Sequence, residues 1–179
     1  MRYLNPRIIR LLTVLAAVGS AFAERGDNPA VPIETLHCES IGLPGTRTTS
    51  YDVEGESIVK RVTRPNYSKG CIDVEEENSR RPSIEEWSRF WATLSQLRIQ
   101  YWKEEYSYQQ VRPGWTMCDG HQWALTCRQP GFEIRSKGSN AYPELSNPQK
   151  TTLDHTVFAR LTEALERLVE PAASATPGT

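Results

Sequence analysis

The chain has 179 residues, 38% hydrophobic, 24% charged and 9% aromatic, with 21 Lys+Arg against 22 Asp+Glu. That is too much apolar and aromatic content for a disordered protein, and there is no glycine period for a fibrous one. The balanced charge carries no basic excess of the kind that nucleic-acid binding needs.

Met1 to Ala23 reads as a secretory signal peptide. Arg2, Arg7 and Arg10 form a positive start, Ile8-Ile9 and Leu11 to Val18 an apolar middle, and Ala21-Phe22-Ala23 a cleavage site. The apolar run is shorter than the roughly 20 residues a membrane span requires, so no stable membrane insertion is expected after cleavage. The style of the leader points to a bacterial, Gram-negative host and a periplasmic or secreted product. Removing 23 of 179 residues leaves 156, with 18 basic against 22 acidic, because three arginines leave with the leader. Glu24 to Pro32 is polar with two prolines and reads as a flexible lead-in.

Residues 33–170 are expected to form a single domain. Ile33 to Ile41, Arg47 to Val53 and Glu56 to Thr63 have strand character, separated by Gly42-Leu43-Pro44-Gly45 and Glu54-Gly55. Pro65 to Pro82, with Glu75-Glu76-Glu77 and Arg80-Arg81, reads as a solvated loop. Ser83 to about Gln100 is predicted to be a helix. Ser83 and Glu86 make a capping box, and Ile84, Trp87, Trp91 and Leu94 recur at helical spacing, with Phe90 and Leu97 widening the stripe. Ile99 to Tyr106 reads as the start of a strand. Asp119-Gly120 is a strong hairpin signal between Trp115-Thr116-Met117 and Gln122-Trp123-Ala124-Leu125. Phe132 to Ser136 is a further strand, and Gly138 to Pro143 is a corner rich in turn residues. A last helix, about Leu153 to Val169, aligns Val157, Phe158, Leu161, Leu165 and Leu168, and Pro171 ends it. Residues 171–179 read as a disordered tail.

This order predicts an α+β domain: one antiparallel sheet of about five or six strands with two helices packed on one face. The second half also resembles an uncharacterised family of bacterial exported domains. The likeness rests on Trp87 in a helix, Tyr106, the strand Asp119-Gly120-His121-Gln122-Trp123, and the corner Gly138-Ser139-Asn140-Ala141-Tyr142-Pro143. It implies the same fold over Leu36 to Val169 and carries no activity with it.

Cys38, Cys71, Cys118 and Cys127 are even in number, which in an exporting context favours two disulfides. Zinc-type spacing is absent, so no metal or other cofactor is expected. If the Asp119-Gly120 hairpin forms, Cys118 and Cys127 stand too far apart to bond, which leaves two pairings. Period-2 alternation places Leu36 with Cys38, and Trp123 and Leu125 with Cys127, on single faces. The preferred pairing is therefore Cys38–Cys127 with Cys71–Cys118.

The candidate chemistry is sparse. His37 is expected to be exposed opposite Cys38, and His155 to face solvent at the start of the last helix. Asp119 and His121 are the pair that a small hydrolase or metal-dependent enzyme would use, although a turn explains Asp119 as well. No serine-nucleophile motif and no phosphate cradle is present. A ligand site is expected, if anywhere, at Trp123, Asn140 and Tyr142. With no convergent catalytic set, the leading expectation is a binding or inhibitor-like module for a protein or envelope component.

Overall fold

The computed structural model describes residues 34–42, 47–117 and 120–170. The expected leader, the lead-in, the Leu43-Pro44-Gly45 turn, Cys118, Asp119 and the tail from Pro171 lie outside those residues.

The class is α+β, built on a larger sheet than the sequence suggests. Seven strands lie in the order β4-β3-β2-β1-β6-β7-β5. They are β1 (Thr35–Ile41), β2 (Thr48–Glu54), β3 (Ser57–Asn66), β4 (Cys71–Arg80), β5 (Glu105–Ser107), β6 (Gln122–Gln129) and β7 (Phe132–Ser139). A separate ribbon joins β8 (Tyr142–Pro143) to β9 (Thr151–Thr152). The helices are α1 (Ile84–Gln96), the single turn α2 (Tyr108–Val111) and α3 (Thr156–Val169). The sheet is also not wholly antiparallel, because β5 runs parallel to β7, Glu105 opposite Lys137. A parallel neighbour needs a crossover of a dozen or more residues, and residues 108–131 supply one.

Alternation along the strands sets the two faces. Leu36, Cys38, Tyr51, Ile58, Trp123, Leu125, Cys127 and Ile134 belong to one buried cluster with the helices. The residues between them are mostly polar, with Ala124 and the buried Val59 as exceptions, and several bond to one another. His37 Nδ1 lies 2.7 Å from Asp52 Oδ1, while Arg61 reaches Glu54 at 2.7 Å and Glu77 at 2.9 Å. His37 is thus only half exposed rather than free in solvent. One apolar and one solvated face is the usual state of an antiparallel sheet covered on a single side.

α1 begins as its sequence implies. Ser83 Oγ accepts from Glu86 N at 3.3 Å, and Glu86 accepts in return from Ser83 N at 2.8 Å. Its buried stripe is Phe90, Leu94 and the capping Leu97, while Trp87 and Trp91 are partly buried beside it. Ile84 departs from the expected stripe: at the first helical position it stays 57% exposed. The helix stops where Arg98 turns left-handed at φ 54°, and a 3-10 turn over Ile99–Tyr101 occupies most of the stretch expected to open a strand. α3 starts at Thr156 rather than Leu153, since Asp154 Oδ1 accepts from Thr156 N at 2.9 Å and from its hydroxyl at 2.6 Å. Its stripe of Val157, Phe158, Leu161, Leu165 and Leu168 is buried throughout. On the same helix Glu166 accepts from the Tyr51 hydroxyl and from Lys60 Nζ at 3.0 Å, which ties α3 to β2 and β3.

Two local expectations are overturned. The stretch from Pro65 to Pro82 is not a loop: β3 runs to Asn66, turns through Tyr67-Ser68-Lys69-Gly70, and returns as β4. Its acids read as loop-forming because they favour strands weakly, but across the ladder they meet cations. Glu75 pairs with Arg47, Glu76 with Lys60 and Glu77 with Arg61. The Asp119-Gly120 hairpin has no first strand, as Trp115 to Met117 form no regular structure. The two-residue turn before β7 is Pro130-Gly131, with Gly131 at φ 80°, a proline–glycine order suited to a type II turn.

The expected Cys38–Cys127 bond is not formed either. Both thiols are buried on neighbouring strands, but Cys38 stands opposite Leu125 and Cys127 opposite Leu36. Such diagonal positions sit about 7–8 Å apart, at or beyond the reach of a disulfide of about 7 Å. Cys71 is an exposed free thiol at the far end of β4, and its expected partner Cys118 lies outside the described residues. Burial pushes the Cys38 and Cys127 thiols up to about 12, so neither forms thiolate at neutral pH. Alkylation of the reduced native protein is therefore expected to modify Cys71 within minutes and to leave Cys38 and Cys127 untouched until denaturant is added. Peptide mapping reads the order, and native labelling of Cys38 would contradict this packing.

Candidate functional site

The chemistry-bearing side chains gather where β1 ends and β6 begins. Ser40 is opposite Trp123 in the β1–β6 ladder, one position inside the last pair, Ile41 and Gln122. His121 precedes β6 and is held at its backbone by the corner. Asn140 Oδ1 accepts from His121 N, and Asn140 N donates to His121 O, both at 2.8 Å. Asn140 can reach both groups because it sits in the left-handed region at φ 49°, a conformation asparagine tolerates better than most residues. Gly120 is required opposite it, for a Cβ there would run into the Asn140 amide.

The His121 ring is bracketed by two hydroxyls. Ser40 Oγ lies 2.6 Å from Nε2, and the Tyr142 hydroxyl lies 2.8 Å from Nδ1. A neutral imidazole offers one N–H and one lone pair, so one of these hydroxyls accepts and the other donates. Burial, and then the nearby His155, holds the His121 pKa below its usual value of 6.5. The ring is therefore neutral at pH 7, with a lone pair available. Phe158 stands edge-on to it at 5.3 Å, and the Tyr142 ring stacks at 5.8 Å.

Behind this ring lies the aromatic centre of the domain. Trp123 is tilted 5.1 Å from Phe158, stacked 6.3 Å from Tyr142 and edge-on 5.8 Å from Trp102, and its Nε1 donates to Ala141 O at 3.0 Å. That approach depends on Gly138, where a Cβ would collide with the indole and with Ala141 O. Of the residues expected to form a ligand site, Trp123 and Tyr142 do meet, and Asn140 reaches them through His121. Both rings are turned into packing, at 3% and 7% exposure. His155 is exposed at the start of α3, with its ring 6.2 Å from Tyr142.

Asp119, the expected partner of His121, lies outside the described residues, and the partners found are Ser40, Tyr142 and Asn140. Among the described residues no group of three His, Cys, Asp or Glu side chains is placed to hold a metal ion. The sequence does not mark Ser40, because 81 positions separate it from His121. A signal existed, since the alternation that puts Leu36 and Cys38 on one face puts Ser40 there too.

The second notable surface is the β3–β4 arm. Gln122, Ile41, Thr48, Thr63 and Val74 form one row across five strands. β3 and β4 continue beyond that row, past the start of β2. β4 is the edge of the sheet and is exposed along nearly its whole length. Tyr67, Ile72 and Val74 are 77%, 69% and 57% exposed on this arm. No family model matches the chain, and no curated protein or solved structure matches it.

Proposed function

We propose that the protein is an exported protein-binding domain of the inhibitor type, periplasmic or secreted, which captures an extended segment of its partner along β4. The observation that carries this reading is the ten-residue edge strand, exposed and, among the described residues, paired on one side only. An open edge presents unpaired backbone N–H and C=O groups, and strand addition is a general mode of peptide capture. Ile72 and Val74 alternate along the edge and provide apolar contacts beside that ladder. The acids at 73 and 75–77 outnumber Arg80 on this strand, and Glu76 and Glu77 stay about half exposed beside their pairs with Lys60 and Arg61, so the edge is acidic. A second copy paired antiparallel would bring glutamates against glutamates, whereas a strand bearing Lys or Arg would meet them favourably. The partner is accordingly an extended basic segment of an envelope or extracellular protein.

The test compares the mature protein with an Ile72→Asp/Val74→Asp variant, both positions being exposed and so compatible with folding. Partner captured from envelope extract is returned to each protein, and amide exchange is followed along the chain. The expected result is protection of residues 71–80 by wild type and at least tenfold weaker binding by the variant. Equal binding by both, or protection located elsewhere, would overturn the reading.

A further inference from the structure

We propose that Ser40 is a nucleophile activated by His121, and that this end of the sheet accepts acyl groups from carboxylic esters of acidic alcohols. The geometry is that of a nucleophile, a base and an orienting group in one line. Ser40 Oγ is 2.6 Å from Nε2, and Nδ1 is 2.8 Å from the Tyr142 hydroxyl, so with the ring proton on Nδ1 the Nε2 lone pair faces the serine hydroxyl. The backbone bonds to Asn140 hold the histidine main chain at both N–H and C=O, and Phe158 and Tyr142 flank its ring. Ser40 itself is only partly buried.

The third position decides the substrate class. Tyr142 offers a neutral phenol oxygen where hydrolases of this logic place a carboxylate, and burial keeps that phenol protonated by raising its pKa. The imidazolium formed on proton transfer is therefore stabilised by a dipole only. That suffices for an alcohol that leaves readily, such as a phenol, and not for the amine of a peptide bond.

The step balances with water as the one co-reactant. Oγ bonds to the acyl carbon, its proton passes to Nε2, the ester C–O bond breaks, and the departing oxygen takes that proton. In the second half water attacks the acyl-serine, gives its proton to Nε2, and Ser40 leaves and recovers it.

The mature protein is to be treated with a fluorophosphonate, mapped by peptide mass, and assayed with p-nitrophenyl acetate. Expected are a label on Ser40, a burst of p-nitrophenol equal to the protein present, and loss of both in Ser40→Ala and His121→Gln. Ser50→Ala, on β2, should behave as wild type. Tyr142 is a positioning residue, and Tyr142→Phe should lower the burst rate about tenfold, the effect of one hydrogen bond in the transition state. The same change should move the acid limb of the pH profile to lower pH, because the imidazolium loses its acceptor. The titratable groups facing the ring among the described residues are Tyr142 and His155. A folded wild type that carries no label on Ser40, or a burst that survives Ser40→Ala, overturns the proposal. Folding is confirmed by circular dichroism in every variant, so that a lost burst reports chemistry.

Discussion

The reduced protein is expected to unfold cooperatively as pH rises from about 9 to about 11, a limit set by its core rather than by its surface. Cys38 and Cys127 have pKa values pushed up from 9.0 to about 12 by burial, and burial raises Tyr106 from 10.0 to about 12. Tyr51 moves the same way, through burial and then through its bond to Glu166. A group whose pKa is higher folded than unfolded holds its proton more tightly in the native state. Its contribution is therefore complete below the unfolded value and is lost as pH climbs towards the folded one. For each thiol that loss is roughly 4 kcal/mol between pH 9 and pH 12, against a total stability of about 5–15 kcal/mol for an ordinary domain. Far-ultraviolet ellipticity followed against pH, with thiolate absorbance alongside, reads the transition. In a Cys71→Ser/Cys118→Ser background, which removes the exposed thiol, thiolate should appear together with unfolding and not before it. Thiolate forming near pH 9 in that background while the protein stays folded would show that Cys38 and Cys127 are wet. The double variant Cys38→Ala/Cys127→Ala should lose some stability at pH 7 yet begin to unfold at higher pH, since two of the four titrations are gone.

The central position of β1 explains why one end of the sheet gathers chemistry. β1 has β2 on one side and β6 on the other, so its last residues bring the beginning of β6 and the corner after β7 to a single place. The corner is fixed by backbone geometry: Gly138 lets the indole approach, Asn140 turns left-handed, and Tyr142-Pro143 opens the short ribbon with Thr151 and Thr152. The result is a half-buried imidazole on a rigid mount, while the arm at the other side of the sheet stays open.

The elements legible in the sequence are those whose signals are local. β1, β2 and most of β3 alternate apolar and polar residues between turn residues, the Ser83–Glu86 cap announces α1, and the stripe from Val157 to Leu168 announces α3. β4 was hidden because its stabilisation is cross-strand: Asp73, Glu75, Glu76 and Glu77 are poor strand formers whose partners, among them Arg47, Lys60 and Arg61, sit on or before other strands. Asp119-Gly120 misled for the opposite reason, as a strong two-residue signal with no strand to precede it, whereas Pro130-Gly131 made the turn. The Ser40–His121 pair depends on the β1–β6 register, a relation between segments 81 positions apart that neither segment states alone.

Replacing Trp123 by alanine is expected to cost about 3–5 kcal/mol, the range for deleting a large buried aromatic side chain. The indole is 3% exposed and touches Trp102, Tyr106, Tyr142 and Phe158, so four rings lose a neighbour and Ala141 O loses its donor. For a domain of this length the change should lower the melting temperature by roughly 10 °C. Trp123→Phe should fall between wild type and Trp123→Ala, because a ring remains while the bond to Ala141 O does not. Gly138→Ala attacks the same contact from the other side by adding a methyl where the indole edge lies, with an expected cost of about 1–3 kcal/mol. The two changes are coupled through shared space. Once the indole is gone, two of the three nearest clashes disappear and that with Ala141 O stays, so Gly138→Ala should cost less in the Trp123→Ala background than in wild type. Urea unfolding of the four proteins closes that cycle. Strictly additive costs would mean that the glycine serves the backbone alone and that the close approach of Trp123 does not require it.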